Sequence, residues 1–327
     1  MPVPDTATEF LANHIARLRQ IRPKKRIVFP EGSDPRVLHA ASRLAQNGLI
    51  EPILIGPAQA DAGSGIRFVM PDEKYAQLYY ERRRAKGVTQ TEAGQVARLP
   101  LYYAALMVGA GDADGAVGGA ANTTAETVRA ALHCVGTPPK VRTVSSVFFL
   151  CVPDRSFGHN GVIAMADCAI VIEPSAVELA EIAIASAASV RALMNCEPAV
   201  ALLSFSTKGS GKHRLVDRVV EAFRIVRERA PDLHVDGELQ ADAALVDAIG
   251  QSKAPGSTVA GHANTLIFPD LASGNIGYKL VERLARGAAM GPFLQGLARP
   301  YNDLSRGCSA DDIYSVAVIT ALQSQAQ

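Results

Sequence analysis

The sequence predicts an α/β protein of two domains, each a mostly parallel sheet covered on both faces by helices. Three observations carry this prediction. Short β-branched runs alternate with longer amphipathic ones, Gly, Pro or Asp stands at most of the switches, and 327 residues is about two domains at roughly 150 residues each.

Residues 26–29 read as a strand ending at Pro30-Glu31-Gly32. Residues 35–46 follow as a helix with Pro35 at its first position, where a missing N–H costs nothing. Residues 52–55 and 66–69 read as strands, and residues 72–106 as mostly helical with breaks near Gly87 and Pro100. Ala116-Val117 ends a short strand, and residues 123–134 form a helix. After Gly136-Thr137-Pro138-Pro139 the pattern restarts at 144–152, whose Val, Phe and Leu content implies burial on both faces. A second domain is expected to begin there, with further strands at 169–172, 199–203, 233–235 and 265–268. Helices are expected at 175–193, 212–229, 238–249 and 272–284. The last helix, 310–322, has no strand after it. No repeat at a period of roughly 20 to 50 residues is present, which argues against a solenoid.

Composition narrows the function. Lys and Arg number 33 against 32 Asp and Glu, a net charge of +1 that does not suit an obligatory polyanion binder. Hydrophobic residues make up 48% of the chain and charged ones 20%, which excludes disorder along its length. The longest apolar run, residues 101–108, falls far short of the roughly 20 residues that cross a bilayer. Asp5 and Glu9 precede the first arginine and no apolar core follows, against a secretory leader. Five cysteines without a C-x-x-C pair suit neither a disulfide framework nor a zinc ribbon, so a reducing cytoplasm is expected.

Several chemistries lack their residues. Ser210-Gly211-Lys212 resembles the end of a phosphate loop, but His213 stands where Ser or Thr must hold magnesium, and Ser206 replaces the first Gly. Gly63-Ser64-Gly65 runs into an extended segment, so no dinucleotide fingerprint opens a helix. There is no G-x-S-x-G elbow and no H-E-x-x-H, and the seven histidines are isolated, so no metal site is expected.

Two polar clusters lead into helices. In the first, residues 302–312, Ser305, Arg306 and the backbone around Gly307 suit an anion at a helix N-terminus. Ser309 followed by Asp312 is also a capping box, which would use Asp312 only to start the helix. In the second, Gly118-Gly119-Ala120-Ala121-Asn122-Thr123 precedes Glu126 at the same spacing. The paired glycines permit close approach to a ligand, and Arg129 lies further along the helix. Of Arg82-Arg83-Arg84, two at least are expected on a solvated face. A third stretch, residues 273–279, contains Asn275 and Tyr278 and follows a strand where parallel sheets place ligand loops.

The run Ser305-Arg306-Gly307-Cys308-Ser309 after Asn302-Asp303-Leu304 resembles the C-terminal signature of the phosphate acetyltransferase, or phosphotransacetylase, family. Six other stretches resemble it in the same order: 27–36 (IVFPEGSDPR), 112–129 (DADGAVGGAANTTAETVR), 145–153 (SSVFFLCVP), 204–211 (SFSTKGSG), 236–240 (DGELQ) and 264–278 (NTLIFPDLASGNIGY). The resemblance spans nearly the whole chain and is weakest over the first twenty residues and over 54–73. Long forms of the family carry an extra N-terminal regulatory portion, for which this chain is too short.

The resemblance implies reversible acetyl transfer between coenzyme A and inorganic phosphate by direct attack in a ternary complex. CoA would be a substrate and no cofactor would be needed. It also implies two three-layer α/β domains with a cleft between them, related to the isocitrate/isopropylmalate dehydrogenase-like fold. Residues 1–140 with 295–327 would form one domain, to which the final helix returns, and 141–294 the other. A cytoplasmic homodimer is expected, with no nucleic acid or membrane partner. Residue by residue, Asp312 resembles the base for the CoA thiol, and Ser305 the group that hydrogen-bonds the acyl phosphate. Arg306, Arg129 and Arg83 match phosphate-binding positions, while Arg283, with Asn275 and Tyr278, is assigned to CoA. Arg155 stands where the family has a cysteine, so no cysteine nucleophile is implied. An ordinary carboxylate titrates about 4 to 5 units below a thiol, so proton removal is expected to be concerted with attack. The rivals are a phosphate butyryl- or propionyltransferase, a metal-dependent decarboxylating dehydrogenase whose aspartate cluster and nucleotide loop are missing, and a non-catalytic regulatory domain of phosphotransacetylase type.

Overall fold

A computed structural model describes residues 3–60 and 62–325. In chain order its elements are α1 (Asp5–Arg19), β1 (Lys25–Phe29), α2 (Pro35–Gln46), β2 (Ile50–Ile55), β3 (Arg67–Val69), α3 (Ala76–Arg83), α4 (Gln90–Ala97), α5 (Pro100–Ala110), β4 (Gly115–Gly118) and α6 (Thr124–Cys134). They continue with β5 (Ser145–Cys151), β6 (Val162–Ala166), α7 (Ala176–Met194), β7 (Val200–Leu203), α8 (Arg214–Arg229), β8 (Val235–Leu239), α9 (Ala241–Leu245) and α10 (Asp247–Lys253). The chain closes with β9 (Thr265–Ile267), α11 (Leu271–Leu284), β10 (Ala288–Gln295), β11 (Tyr301–Asp303) and α12 (Ala310–Gln323).

Two compact units result: a split unit of Leu11–Pro139 with Leu297–Gln327, and a middle unit of Lys140–Gly296 with the chain's opening segment through Phe10. The opening segment was expected with residues 11–140. Its anchors explain the difference: the Thr6 hydroxyl donates to the Val152 carbonyl at 3.0 Å, Glu9 pairs with Arg155, and the Phe10 ring sits 5.4 Å from that of Phe149.

The split unit carries a fully parallel sheet in the order β11-β4-β1-β2-β3. Val28 of β1 lies opposite Ile53 of β2 on one side and Ala116 of β4 on the other, and Asn302 of β11 lies opposite Val117. Ile27, Val28 and Phe29 are fully buried, as strands covered on both faces must be. Helix α12 packs on α2, β1 and β4. A glycine at 115 permits that approach, because a Cβ there would stand 2.8 Å from the Thr320 methyl. The parallel order places the ends of β1, β4 and β11 side by side, and each leads into a loop before α2, α6 and α12.

The middle unit has six strands in the order β10-β5-β6-β9-β7-β8, antiparallel from β10 to β6 and parallel beyond. Five features, not all of them in this unit, differ from the sequence reading or lie outside it. The expected strand at 169–172 is a bend instead, because the buried Asp167 carboxylate accepts the amides of Ala169, Ile170 and Val171 at 3.0, 3.3 and 2.8 Å. The strand is β6, one apolar run earlier. β10 lies outside the expected strands; its Gly291-Pro292 pair sits at an irregularity between Met290 and Phe293 on an edge strand, where sheets tolerate proline. β11 and α1 likewise lie outside the expected elements. The helix expected over 238–249 is two shorter ones, because β8 runs on through Glu238 to Leu239.

Candidate active site

Three loops of the split unit meet at one residue. Asp34 caps α2 by accepting the Arg36 amide at 2.9 Å, and the same carboxylate grips the Arg36 side chain through Nε at 3.1 Å and Nη2 at 2.7 Å. This pairing holds the Asp34 carboxyl below the usual carboxylate range, chiefly through the Arg36 side-chain hydrogen bonds. The rest of the guanidinium turns to backbone. Nη2 donates to the Ala120 carbonyl at 2.9 Å, and Nη1 to the carbonyls of Arg306 and Cys308 at 2.8 and 2.9 Å.

Bound to the same loops are a half-buried acid, Glu31, and a buried one, Asp303. Glu31 Oε1 accepts the Gly119 amide at 2.9 Å and the Asn122 amide nitrogen at 2.7 Å. Asp303 accepts the Thr124 hydroxyl at 2.6 Å. Burial pushes both carboxyls up, that of Asp303 to about 6, with the Glu31 charge contributing. The paired glycines therefore serve the protein's own packing. Gly119 has φ +104°, and a Cβ there would lie 2.4 Å from Asp303 Oδ1 and 2.7 Å from the Leu304 carbonyl oxygen.

The predicted residues of this unit fall on the loops so held. Ser305, Arg306 and Asp312 are exposed. The Ser305 hydroxyl accepts the Gly307 amide at 3.2 Å. Asp312 completes the capping box: its Oδ2 accepts the Ser309 amide and hydroxyl at 2.8 Å each, while its own amide donates to Ser309 Oγ at 3.2 Å. The capping reading is thus realised, and it occupies one carboxylate oxygen of two. Thr123 and Glu126 form the same box at α6. Hydrogen bonds from Thr123 hold the Glu126 carboxyl low, and the charges of Arg129 and Arg306 add to the effect. Burial, then the charges of Arg83 and Arg129, push the His133 imidazole below its usual value. Glu126 thus feels the charges of Arg129 and Arg306, and His133 those of Arg83 and Arg129. Arg83 is half-buried with its Nε unpartnered, whereas Arg82 donates to the Val135 carbonyl at 3.0 Å and Arg84 lies exposed in a 3-10 turn.

In the middle unit the CoA candidates lie on α11. Asn275 donates to the Cys168 carbonyl at 3.1 Å, and the Tyr278 ring stacks on Phe148 with centroids 4.4 Å apart. Arg283 is exposed near the helix end, with Glu282 3.6 Å away. The phosphate-loop lookalike at 204–213 is tied to an acid: Glu238 Oε1 accepts the Ser206 hydroxyl at 2.7 Å and the Gly209 amide at 2.8 Å, which disfavours an anion there. Among the described residues no cluster of three or more His, Cys, Asp or Glu is placed to hold a metal.

Sequence reasoning missed Arg36, Glu31 and Asp303 as parts of this site. A signal existed, since Arg36 and Glu31 lie within the 27–36 stretch, but nothing in spacing says which backbone a side chain will hold.

A parallel-sheet α/β unit that leaves Ser305, Arg306 and Asp312 exposed at the start of its last helix defines the class, and comparison supplies the family. Residues 10–321 match the phosphate acetyl/butaryl transferase family, and the chain belongs to it. It is 48% identical over 313 residues to the phosphate acetyltransferase of Acetivibrio thermocellus, covering 92% of this chain and 94% of that protein. A phosphotransacetylase structure from Streptococcus pyogenes superposes with a TM-score of 0.92 at 42% identity, covering 98% of this chain and 99% of the other. At 12% identity and a TM-score of 0.51, 4-hydroxythreonine-4-phosphate dehydrogenase from Klebsiella pneumoniae, covering 93% of this chain and 100% of the other, shares the fold alone.

Proposed function

We propose that this chain is a phosphate acetyltransferase, interconverting acetyl-CoA plus phosphate with acetyl phosphate plus CoA. The observation that carries the reading is the braced loop presenting Ser305, Arg306 and Asp312 beside Arg129. In the direction of acetyl-CoA synthesis, Asp312 Oδ1 takes the thiol proton as sulfur attacks the acetyl carbon. The C–S bond forms as the bond between the acetyl carbon and the bridging oxygen breaks, and that oxygen leaves with the phosphate. Arg306, Arg129 and Arg83 bear the charge gathering on the departing phosphate, since planar guanidinium forks suit its oxygens. Ser305 donates to the acyl phosphate. No cofactor takes part, and the two substrates must be held together.

Arg283 is assigned to a CoA phosphate, with Asn275 and Tyr278 beside it. The enzyme is placed in the cytoplasm as a homodimer. The dimer is supported by Ile276, Leu280 and Leu284, which follow one face of α11 and are 58%, 53% and 80% exposed. No helix among the described residues is long and apolar enough to cross a membrane.

The test is a CoA- and phosphate-dependent assay across acetyl, propionyl and butyryl substrates. Acetyl is expected to give the highest kcat/KM. Preference for butyryl would reassign the acyl group, and no turnover with any of the three would leave a binding domain.

A further inference from the structure

From its contacts we infer that Arg36 is a positioning residue for phosphate, acting through the backbone of the two anion-facing loops; this rests on the function proposed above. All five N–H groups of a guanidinium are accounted for: one on Nε and one on Nη2 to Asp34, one on Nη2 to Ala120, and two on Nη1 to Arg306 and Cys308. None remains for a ligand. Arg36 is therefore not a phosphate ligand but the part that fixes where ligands stand.

The geometry gives the consequence. Drawing the carbonyls on either side of Gly307 to one guanidinium fixes the turn between them, and the Arg306 side chain is left exposed beside it. The Ala120 bond ties this turn to the segment that starts α6, which carries Arg129. Two of the three phosphate-facing arginines thus owe their separation to a fourth arginine that does not face phosphate. Asp34 holds the fork in its plane while capping α2, so its aim is set by a helix rather than by a loop. Lysine cannot reproduce this, because a single ammonium offers three donors and no planar fork.

The experiment compares the parent with Arg36→Lys and Arg36→Ala by calorimetric titration with inorganic phosphate, steady-state kinetics and thermal unfolding. Arg36→Lys is expected to unfold within a few degrees of the parent, yet weaken phosphate binding and raise the phosphate KM by about tenfold or more, as sub-ångström misplacement does. The CoA KM should move less than twofold. Millimolar guanidinium should restore part of the phosphate affinity of Arg36→Ala, and ethylammonium should not. Unchanged phosphate affinity in Arg36→Lys overturns the inference, as does a loss shared equally by CoA and phosphate or tracking thermal unfolding alone. A parent that binds phosphate but transfers no acetyl group would remove the proposed reaction and leave the brace standing.

Discussion

The two units commit their polar side chains in opposite ways. In the split unit Arg36 and Glu31 hold loop backbone and Asp303 holds the Thr124 hydroxyl, while Ser305, Arg306 and Asp312 are left exposed on the segments so tied. In the middle unit Asn275 and Tyr278 do the seating themselves, on Cys168 and Phe148. The difference teaches how much of each assignment survives contact with the fold. A side chain already holding its own element has less to offer a ligand than one that others hold in place. Of the residues proposed for phosphate, Arg129 and Arg306 are exposed, as is Arg283 of those proposed for CoA.

The largest effect should come from Asp312. Replacement by Asn preserves an acceptor for the Ser309 amide but removes the base, so kcat should fall by about a hundredfold to ten-thousandfold. Affinity for acetyl phosphate and the unfolding midpoint should scarcely change. Steady-state kinetics on the purified variant decide it: parental turnover would return Asp312 to helix capping alone. Next in size is Arg306→Lys, which keeps the charge and the backbone held by Arg36 but loses the fork. The phosphate kcat/KM should drop by about tenfold to a hundredfold, with the CoA KM little altered. An equal loss for both substrates would place Arg306 elsewhere in the reaction.

Much of this was legible in advance, and the failures have physical causes. The parallel core of the split unit follows from apolar runs at 26–29 and 52–55 broken by Pro-Glu-Gly and Gly-Pro, because strands buried on both faces leave no polar alternation to confuse the pattern. The middle unit was harder. Its β10 contains Gly-Pro, its β6 competes with a similar run at 169–172, and only the Asp167 carboxylate decides between them by taking the amides of the later one. The exposed site residues were readable as a signature. Their supports were not, because Arg36 reaches carbonyls 84 to 272 residues away along the chain, and no local spacing encodes that.

Asp303 tests whether the split unit's supports carry a cost. Its carboxyl is raised to about 6 by burial and by Glu31, while Thr124 and Thr127 of α6 and the Leu304 amide pull the other way. The folded protein thus binds this proton more tightly than the unfolded chain does. Stability should fall as pH rises from about 4 through about 6 and level off above, by about 3 kcal/mol for this group. Urea unfolding of Asp303→Asn across that window should give a flatter curve than the parent, since other carboxylates contribute to both and cancel in the difference. Parallel curves would mean that the buried acid is compensated in the folded state.

The smallest expected effect sharpens the comparison most, because it separates the three CoA candidates from one another. Arg283 lies 3.6 Å from the neighbouring Glu282 and is 71% exposed in its side chain, so Arg283→Ala removes little from the fold. If it meets a CoA phosphate at the surface, the CoA KM should rise by about threefold to tenfold and the effect should shrink with added salt, as screened charges require. Tyr278→Phe keeps the ring on Phe148 and should leave unfolding unchanged. Any rise in CoA KM in that variant must then come from the hydroxyl, and a rise matching that of Arg283→Ala would show that α11 seats itself and binds CoA with the same residue. A CoA KM that moves with Arg283 alone would confine recognition to the end of the helix.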